Sequence, residues 1–203
     1  MVNQRIALKQ LNELKKLGHS LRLAAEWRKP WQSLISTMLS ARTRDEVTIE
    51  VCNKLFRKYD SPRALAKASL KNIQRMIRPV NFYINKSKSL SRCAKMLVSE
   101  YKSKVPNNFD KLIQLPGVGR KTANVFLATQ GKSAIGVDTH ISYISQRLCW
   151  TRHNKPKDIE KDLEKLFPKR MWRNINYIVV RFGRTYKSKS KKDDLLNKIK
   201  KIR

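Results

Sequence analysis

The segment that most constrains this chain is the run Leu115-Pro-Gly-Val-Gly-Arg-Lys-Thr-Ala123. Apolar residues at helical spacing flank it, so residues 108–130 are predicted to form a helix, a hairpin and a second helix. Gly117 and Gly119 are predicted to form the turn, because glycine tolerates positive φ values. Backbone N–H groups left unpaired at the start of the second helix can bind one phosphate. A simple turn without any ligand is the alternative interpretation.

The charge balance indicates a polyanionic partner. The 203 residues include 46 Lys and Arg against 15 Asp and Glu, a formal net charge of +31. Such a field attracts polyanions and accelerates their encounter with the protein, so a nucleic acid is the predicted partner. A basic protein of the membrane surface is the alternative, although no apolar stretch approaches the ~20 residues that span a bilayer. The start of the chain lacks the apolar core of a signal peptide, and we expect a cytoplasmic, nucleoid-associated protein.

Helical periodicity runs through almost the whole chain and predicts an all-α fold. Ser61-Pro62 is predicted to start a helix with proline in its first turn. Ser69 and Asp45 are predicted N-caps of the helices that follow them. In the basic tail from Lys187 onward, apolar residues near one helical face predict either a short docked helix or a frayed end. The predicted helices lie near residues 3–16, 30–41, 45–59, 62–67, 70–77, 84–102, 108–114, 120–130, 139–149, 157–166 and 170–185.

A second motif, Asp138-Thr-His140, follows the hairpin and is preceded by Val137. With these residues the sequence resembles the helix-hairpin-helix DNA glycosylases of the endonuclease III family. The resemblance is carried by LPGVGRKTANVFLAT and VDTHISYISQRL, together with the segments Pro30–Asp45 and Val80–Lys86. It extends from about residue 4 to about residue 186, which is nearly the whole chain.

The resemblance implies two helical lobes with a DNA-binding cleft. One lobe is expected to span residues 22–132, and the other to combine residues 1–21 with 133–203. The cleft is expected to place Lys121 on one side and Asp138 on the other. The resemblance also implies a monomer that binds double-stranded DNA containing damaged bases or abasic sites.

The family resemblance assigns chemistry to two residues. Lys121 is the expected nucleophile: an uncharged amine attacks C1′ of an extruded nucleotide, displaces the base and forms an imine that permits β-elimination. The alternative is a lysine that only contacts phosphate. Asp138 is expected to stabilise the cationic sugar and to assist proton transfer, while a helix cap is its alternative and compatible role. Asp45, Thr139 and His140 are expected to support the site.

Two side chains match the family positions that enter the duplex. Arg42 is expected to occupy the space of the extruded base, with a phosphate contact as the alternative. Phe82 matches the second intruding position, with a core aromatic as the alternative. The remaining residues expected to contact DNA are Arg44, Lys86, Gly117, Val118, Gly119, Arg120 and Thr122.

The cysteines predict that no cofactor is bound. Many endonuclease III relatives hold a [4Fe-4S] cluster with four closely spaced cysteines near the C-terminus, whereas this chain has only Cys52, Cys93 and Cys149. No CxxC pair exists, so a zinc site is not expected either. We therefore expect neither cluster nor metal ligands, and the one ion that the resemblance allows is a monovalent cation at the hairpin carbonyls.

The function implied by the resemblance is a bifunctional DNA glycosylase and AP lyase of base excision repair. Damaged pyrimidines are the first expected substrates, and uracil or thymine opposite guanine the second. An enzyme that acts predominantly as an AP lyase is a further alternative. A non-catalytic DNA-binding protein is the alternative from another class, and it is disfavoured by the pairing of Lys121 with Asp138.

Overall fold

The computed structural model describes residues 2–202. These residues form twelve α-helices and one short 3-10 helix without any β-strand, which confirms the predicted all-α fold. None of these helices has the length and apolar character needed to cross a membrane. The helices are α1 (Gln4–Leu17), α2 (Pro30–Ser40), α3 (Asp45–Lys58), α4 (Pro62–Lys67), α5 (Leu70–Ile77), α6 (Tyr83–Ser99), α7 (Phe109–Leu112), α8 (Arg120–Thr129), α9 (Thr139–Arg147), α10 (Pro156–Leu166), α11 (Trp172–Thr185) and α12 (Lys189–Lys200), with the 3-10 helix at Lys169–Met171.

Local capping signals located several helix starts correctly. The Ser61 hydroxyl accepts a hydrogen bond from the N–H of Ala64 at the start of α4. Ser69 does the same for Asn72 at the start of α5. Both caps satisfy backbone donors that have no partner within their own helix. The predicted helix start at Ser61-Pro62 and the predicted cap at Ser69 are confirmed.

The predicted cap at Asp45 is wrong. Arg44 occupies the N-cap position with an extended backbone, and Asp45 is the first residue of α3. The Asp45 carboxylate instead accepts a hydrogen bond from the N–H of Ala24 at 2.9 Å. Asp45 therefore ties the segment before α2 to the start of α3 through a contact between residues distant in sequence.

The sixth helix is shorter than the predicted 84–102. It ends at Ser99, because Lys102 and Ser103 adopt positive φ values of 51° and 65°. The N–H of Ser103 donates to the carbonyl of Leu97 at 2.8 Å, which closes the end of the helix. Such a closure satisfies a carbonyl that would otherwise lack a partner.

The chain divides into two compact units. Unit 1 comprises Met1–Leu23 with Gly131–Arg203, and unit 2 comprises Ala24–Gln130. In unit 2 the central element is α2, whose residues from Ser33 to Leu39 are all buried. Helices α3, α6 and α8 pack against it, which explains why α2 is buried on nearly every side.

Unit 1 has its own core, formed by α1, α9, α10, α11 and α12. Trp150 is fully buried in it, and its indole N–H donates to the buried Gln10 side chain at 2.7 Å. The tail is a docked helix: Leu196 and Ile199 of α12 are buried against the rest of the unit. The docked-helix alternative for the basic tail is thus confirmed, because the apolar face has a core to cover.

A buried carboxylate links the loop after α9 to α10. Asp162 accepts hydrogen bonds from the Thr151 hydroxyl at 2.5 Å and from the His153 ring at 2.9 Å. Burial alone raises the pKa of Asp162, but the hydrogen bonds from Thr151 and His153 and the nearby cationic charge outweigh it, and the pKa is lowered. This network stabilises unit 1 as long as Asp162 is ionised.

Candidate active site and nucleic-acid interface

The hairpin is built around one indispensable glycine. Gly117 has a φ of +81°, a conformation that residues with a Cβ rarely adopt. A Cβ there would lie 2.7 Å from Cβ of Ser89 and 3.0 Å from Cε of Met38. The turn therefore packs its backbone directly against α6 and α2, and the prediction for this glycine is confirmed.

The second glycine of the hairpin has a different role from the one predicted. Gly119 is the N-cap of α8 with a φ of −92°, which any residue can adopt. No atom lies within 4 Å of the position that its Cβ would take. Neither the backbone nor the packing of the described residues requires glycine here, so the expectation of a positive φ at Gly119 is wrong. The open space lies at the N-terminus of α8.

The residues around these glycines divide between core and surface. Val118 and Thr122 are buried, and the N–H of Val118 already donates to the carbonyl of Leu115 at 3.0 Å. Their side chains pack within unit 2. Arg120 is exposed, and its guanidinium carbon lies 5.0 Å from the centre of the Phe109 ring.

Lys121 occupies the first turn of α8. Its side chain is half-buried, unlike that of the exposed Arg120 before it. The position next to the helix N-terminus adds the positive end of the helix dipole to its surroundings. An amine in this place can contact a phosphate or attack a sugar, as the sequence predicted.

The two predicted intruding residues lie side by side in unit 2. Arg42 and Phe82 are both exposed and both adopt left-handed backbone conformations, with φ values of 56° and 60°. The guanidinium carbon of Arg42 lies 5.7 Å from the centre of the Phe82 ring. Phe82 is 58% exposed, so it is not a core aromatic. Strained residues that project into solvent are typical of binding sites.

The loop that carries Arg42, residues 40–44, is held by contacts from the start of α6. The Asn81 amide donates to the carbonyl of Arg42 at 2.5 Å, and the Asn81 N–H donates to the Thr43 hydroxyl at 3.1 Å. Arg44, at the end of the loop, is exposed. No pattern in the sequence indicated the part played by Asn81.

Lys86 is also attached to this loop. Its Nζ atom donates to the carbonyls of Leu39 at 2.7 Å and Ala41 at 2.5 Å, and to the Thr43 hydroxyl at 3.3 Å. Burial, followed by the positive charge of Lys121, lowers the pKa of Lys86 to about 8. All three of these contacts of Lys86, which the sequence predicted as a DNA contact, lie within the protein.

Asp138 lies in unit 1 as the N-cap of α9. Its carboxylate accepts a hydrogen bond from the N–H of Ile141 at 2.8 Å, which confirms the cap role. The preceding segment is held by the buried Asn176 of α11. This side chain accepts from the Gly136 N–H at 3.0 Å and donates to the Gly136 carbonyl at 2.6 Å. Asn176 therefore fixes the backbone that leads into Asp138.

The other two residues of the second motif differ in their surroundings. Thr139 is exposed, and His140 is half-buried. A Cβ added to Gly183 of α11 would lie 2.4 Å from Nδ1 of His140. The His140 ring therefore packs against the backbone of α11, and only glycine leaves room for it.

The cysteines do not fit an iron–sulfur cluster. Cys52 and Cys93 are fully buried in unit 2, whereas Cys149 belongs to unit 1. Burial raises the pKa of the Cys93 thiol to about 12, while cluster ligands are thiolates. Within residues 2–202, no three His, Cys, Asp or Glu side chains are grouped in a way that could hold a metal ion.

Comparison with known proteins places this architecture. The family model described as HhH-GPD superfamily base excision DNA repair protein matches residues 35–169. Endonuclease III of Thermotoga maritima is 42% identical over 156 residues, which cover 76% of this chain and 73% of that protein. Endonuclease III of Synechocystis sp. is 38% identical over 173 residues, which cover 84% and 79%.

A solved structure agrees with these relatives. The structure of a trapped endonuclease III–DNA covalent intermediate, an estranged-adenine complex, superposes with a TM-score of 0.86 at 33% identity. The match covers 93% of this chain and 90% of that chain. With its hairpin and the Asp138 motif in place, the chain belongs to the endonuclease III family within the HhH-GPD superfamily of base excision DNA repair proteins.

Proposed function

We propose that this protein removes damaged pyrimidines from double-stranded DNA and then cleaves the strand at the resulting site, with Lys121 as the nucleophile. Its family makes it a DNA glycosylase and AP lyase of base excision repair. The observation that carries the proposal is the position of the half-buried Lys121 in the first turn of the helix that the hairpin starts. The structural neighbour trapped as a covalent DNA intermediate supports a covalent mechanism.

The proposed chemistry needs one uncharged amine. Nζ of Lys121 forms a bond to C1′ while the bond between C1′ and the base breaks, and the base leaves with a proton. Opening of the sugar ring gives an imine, which acidifies the C2′ proton. Loss of that proton expels the 3′ phosphate and cleaves the strand. Asp138 is proposed to stabilise the cationic sugar while the base departs and to accept a proton from the amine.

DNA is proposed to meet the protein at the hairpin and at the exposed pair Arg42 and Phe82. The N–H groups at the start of α8, with Arg120 beside them, provide an anion site for one backbone phosphate. Arg42 and Phe82 fill the space of the extruded nucleotide, and the guanidinium favours guanine as the opposite base. The net charge of +31 guides the encounter of the enzyme, a nucleoid-associated monomer in this proposal, with DNA.

We also propose that the enzyme works without an iron–sulfur cluster. The C-terminal part of unit 1 is stabilised by the apolar face of α12 instead of by cysteine ligands. Metal analysis of the purified protein tests this proposal. Iron in stoichiometric amount would contradict it.

The activity is tested with duplexes that contain thymine glycol, uracil or thymine opposite guanine, or an abasic site. Borohydride added during the reaction traps an imine as a stable adduct. We expect an adduct with the parent protein and none with Lys121→Gln. Tight binding without adduct or strand cleavage on any duplex would instead identify a non-catalytic DNA-binding protein, and base release without strand cleavage a monofunctional enzyme.

The role of Asp138 is tested by Asp138→Asn, because asparagine also caps helices well. We expect an unchanged melting temperature, nearly unchanged DNA affinity and strongly reduced turnover. Equal turnover in the variant and the parent protein would remove Asp138 from the mechanism.

A further inference from the structure

We infer that Lys86 is a positioning residue that holds the Arg42 loop, residues 40–44, in the shape needed to separate a damaged base from its opposite base. The inference rests on the proposed function, in which Arg42 enters the duplex. Lys86 acts through this loop and contacts no substrate. The argument starts from the three contacts of its ammonium group.

The number of hydrogen-bond donors on the Lys86 ammonium group equals the number of acceptors around it. A protonated lysine has three N–H donors, and three acceptors surround Nζ of Lys86 at 2.5–3.3 Å. Two are the carbonyls of Leu39 and Ala41 at the C-terminus of α2, where carbonyl groups lack partners within the helix. The third is the Thr43 hydroxyl. Lys86 therefore connects the end of α2 to Thr43, which follows Arg42, the residue that projects from the loop.

The loop needs such support because its conformation is unfavourable. Arg42 has a φ of 56°, which crowds the Cβ of any L-residue against its own backbone. A strained residue keeps this conformation only where its surroundings determine it. Lys86 holds the residues on both sides of Arg42, and Asn81 holds the Arg42 carbonyl itself.

These contacts leave Lys86 unsuited to a phosphate. Its three donors are all directed at protein acceptors, and a DNA contact would have to break at least one of them. The group is half-buried, and retaining its charge there is unfavourable, as the lowered pKa indicates. The role of Lys86 in organising the loop explains why a charged ammonium group is retained at this half-buried position.

The inference predicts a defect that depends on the opposite base. Lys86→Met keeps the length of the side chain and removes the charge and all three hydrogen bonds. The test compares single-turnover base removal in a duplex with removal from a matched duplex in which the same lesion is bulged and has no opposite base. We expect the ratio of the two rates to fall at least about tenfold, because the loss of even one of the three hydrogen bonds from a charged group has an effect of that size.

A second readout reports on the opposite base directly. A 2-aminopurine placed opposite the lesion becomes brighter when it loses its stacking. We expect Lys86→Met to delay this increase, and Lys86→Arg, which keeps a charge and several donors, to restore part of the rate. Lys88→Met is the matched control, because Lys88 is exposed on the same helix. It removes an equal charge and is expected to leave the ratio of rates unaltered.

Asn81→Ala provides a second variant should Lys86→Met fold poorly. Asn81 is exposed, and its side-chain amide donates to the Arg42 carbonyl, so the same ratio is expected to fall by a smaller factor. If these variants slow both substrates equally, or neither, Lys86 does not position the loop. If the parent protein releases no base from either substrate, the proposed function itself fails, which is a different result.

Discussion

The two hairpin glycines predict opposite outcomes for the same small substitution. In Gly117→Ala the new Cβ meets Cβ of Ser89 at 2.7 Å, where no flexible end of a side chain can move away. The left-handed φ adds about 1–2 kcal/mol and such overpacking typically adds about 1–3 kcal/mol. We expect a loss of about 3 kcal/mol in the free energy of unfolding, or about 6–12 °C in melting temperature for a chain of this size.

Gly119→Ala is expected to leave the stability nearly unchanged. No atom lies within 4 Å of the added methyl group, and the φ of −92° suits alanine. The poorer N-cap and the smaller entropy of the unfolded chain have opposite signs and similar sizes, each within about 1 kcal/mol. DNA affinity, however, is expected to fall at least tenfold, because the methyl group enters the space proposed for a backbone phosphate.

Thermal unfolding and fluorescence-anisotropy titration with a duplex containing a reduced abasic site measure the two effects separately. The pattern expected is a stability defect at Gly117 and a binding defect at Gly119. Unchanged DNA affinity in Gly119→Ala would refute the assignment of that open space to phosphate. A fully stable Gly117→Ala would show that the contact with α6 does not constrain the hairpin.

Three further predictions concern the framework around the site. Because the pKa of Asp162 is lowered in the folded protein, its contribution to stability is present above its ordinary pKa and is lost as the pH falls through the folded value. The difference in melting temperature between the parent protein and Asp162→Asn should therefore shrink on acidification. A difference that stays constant with pH would contradict this. Gly183→Ala places a Cβ 2.4 Å from Nδ1 of His140, so we expect reduced stability and turnover, and a fully active, stable variant would refute the packing argument. Leu196→Ala should cost about 3 kcal/mol, because Leu196 is fully buried, whereas Leu195→Ala, at a half-buried position, should cost less; equal, small losses in thermal unfolding would mean that α12 contributes little to the core.

Local sequence signals determined the helices and the turn. The starts of α4 and α5 follow from serine side chains that bond the backbone three residues ahead, and the α9 cap at Asp138 follows the same rule. The turn at Gly117 follows from the freedom of glycine at positive φ. Each of these interactions lies within a few residues, so it is visible in a single sequence.

Long-range contacts were not visible in this way. Lys86 looked like one more basic residue on a DNA-binding face, and nothing in its neighbourhood points to the carbonyls of Leu39 and Ala41. Asn176 resembles any polar residue in a helix, yet it holds the segment before Asp138. Partners far apart along the chain are brought together by packing, which a local pattern does not record.

The sequence by itself was sufficient to predict the all-α class, the helix-hairpin-helix and the family, which is indicated by the motifs that contain Lys121 and Asp138. These features depend on local periodicity and on motif residues close together in the chain. The folded structure was needed to assign different tasks to similar residues. It separated Gly117, which the packing requires, from Gly119, which it does not, and it turned Lys86 inward while leaving Arg42 exposed. Those differences arise from neighbours supplied by other helices.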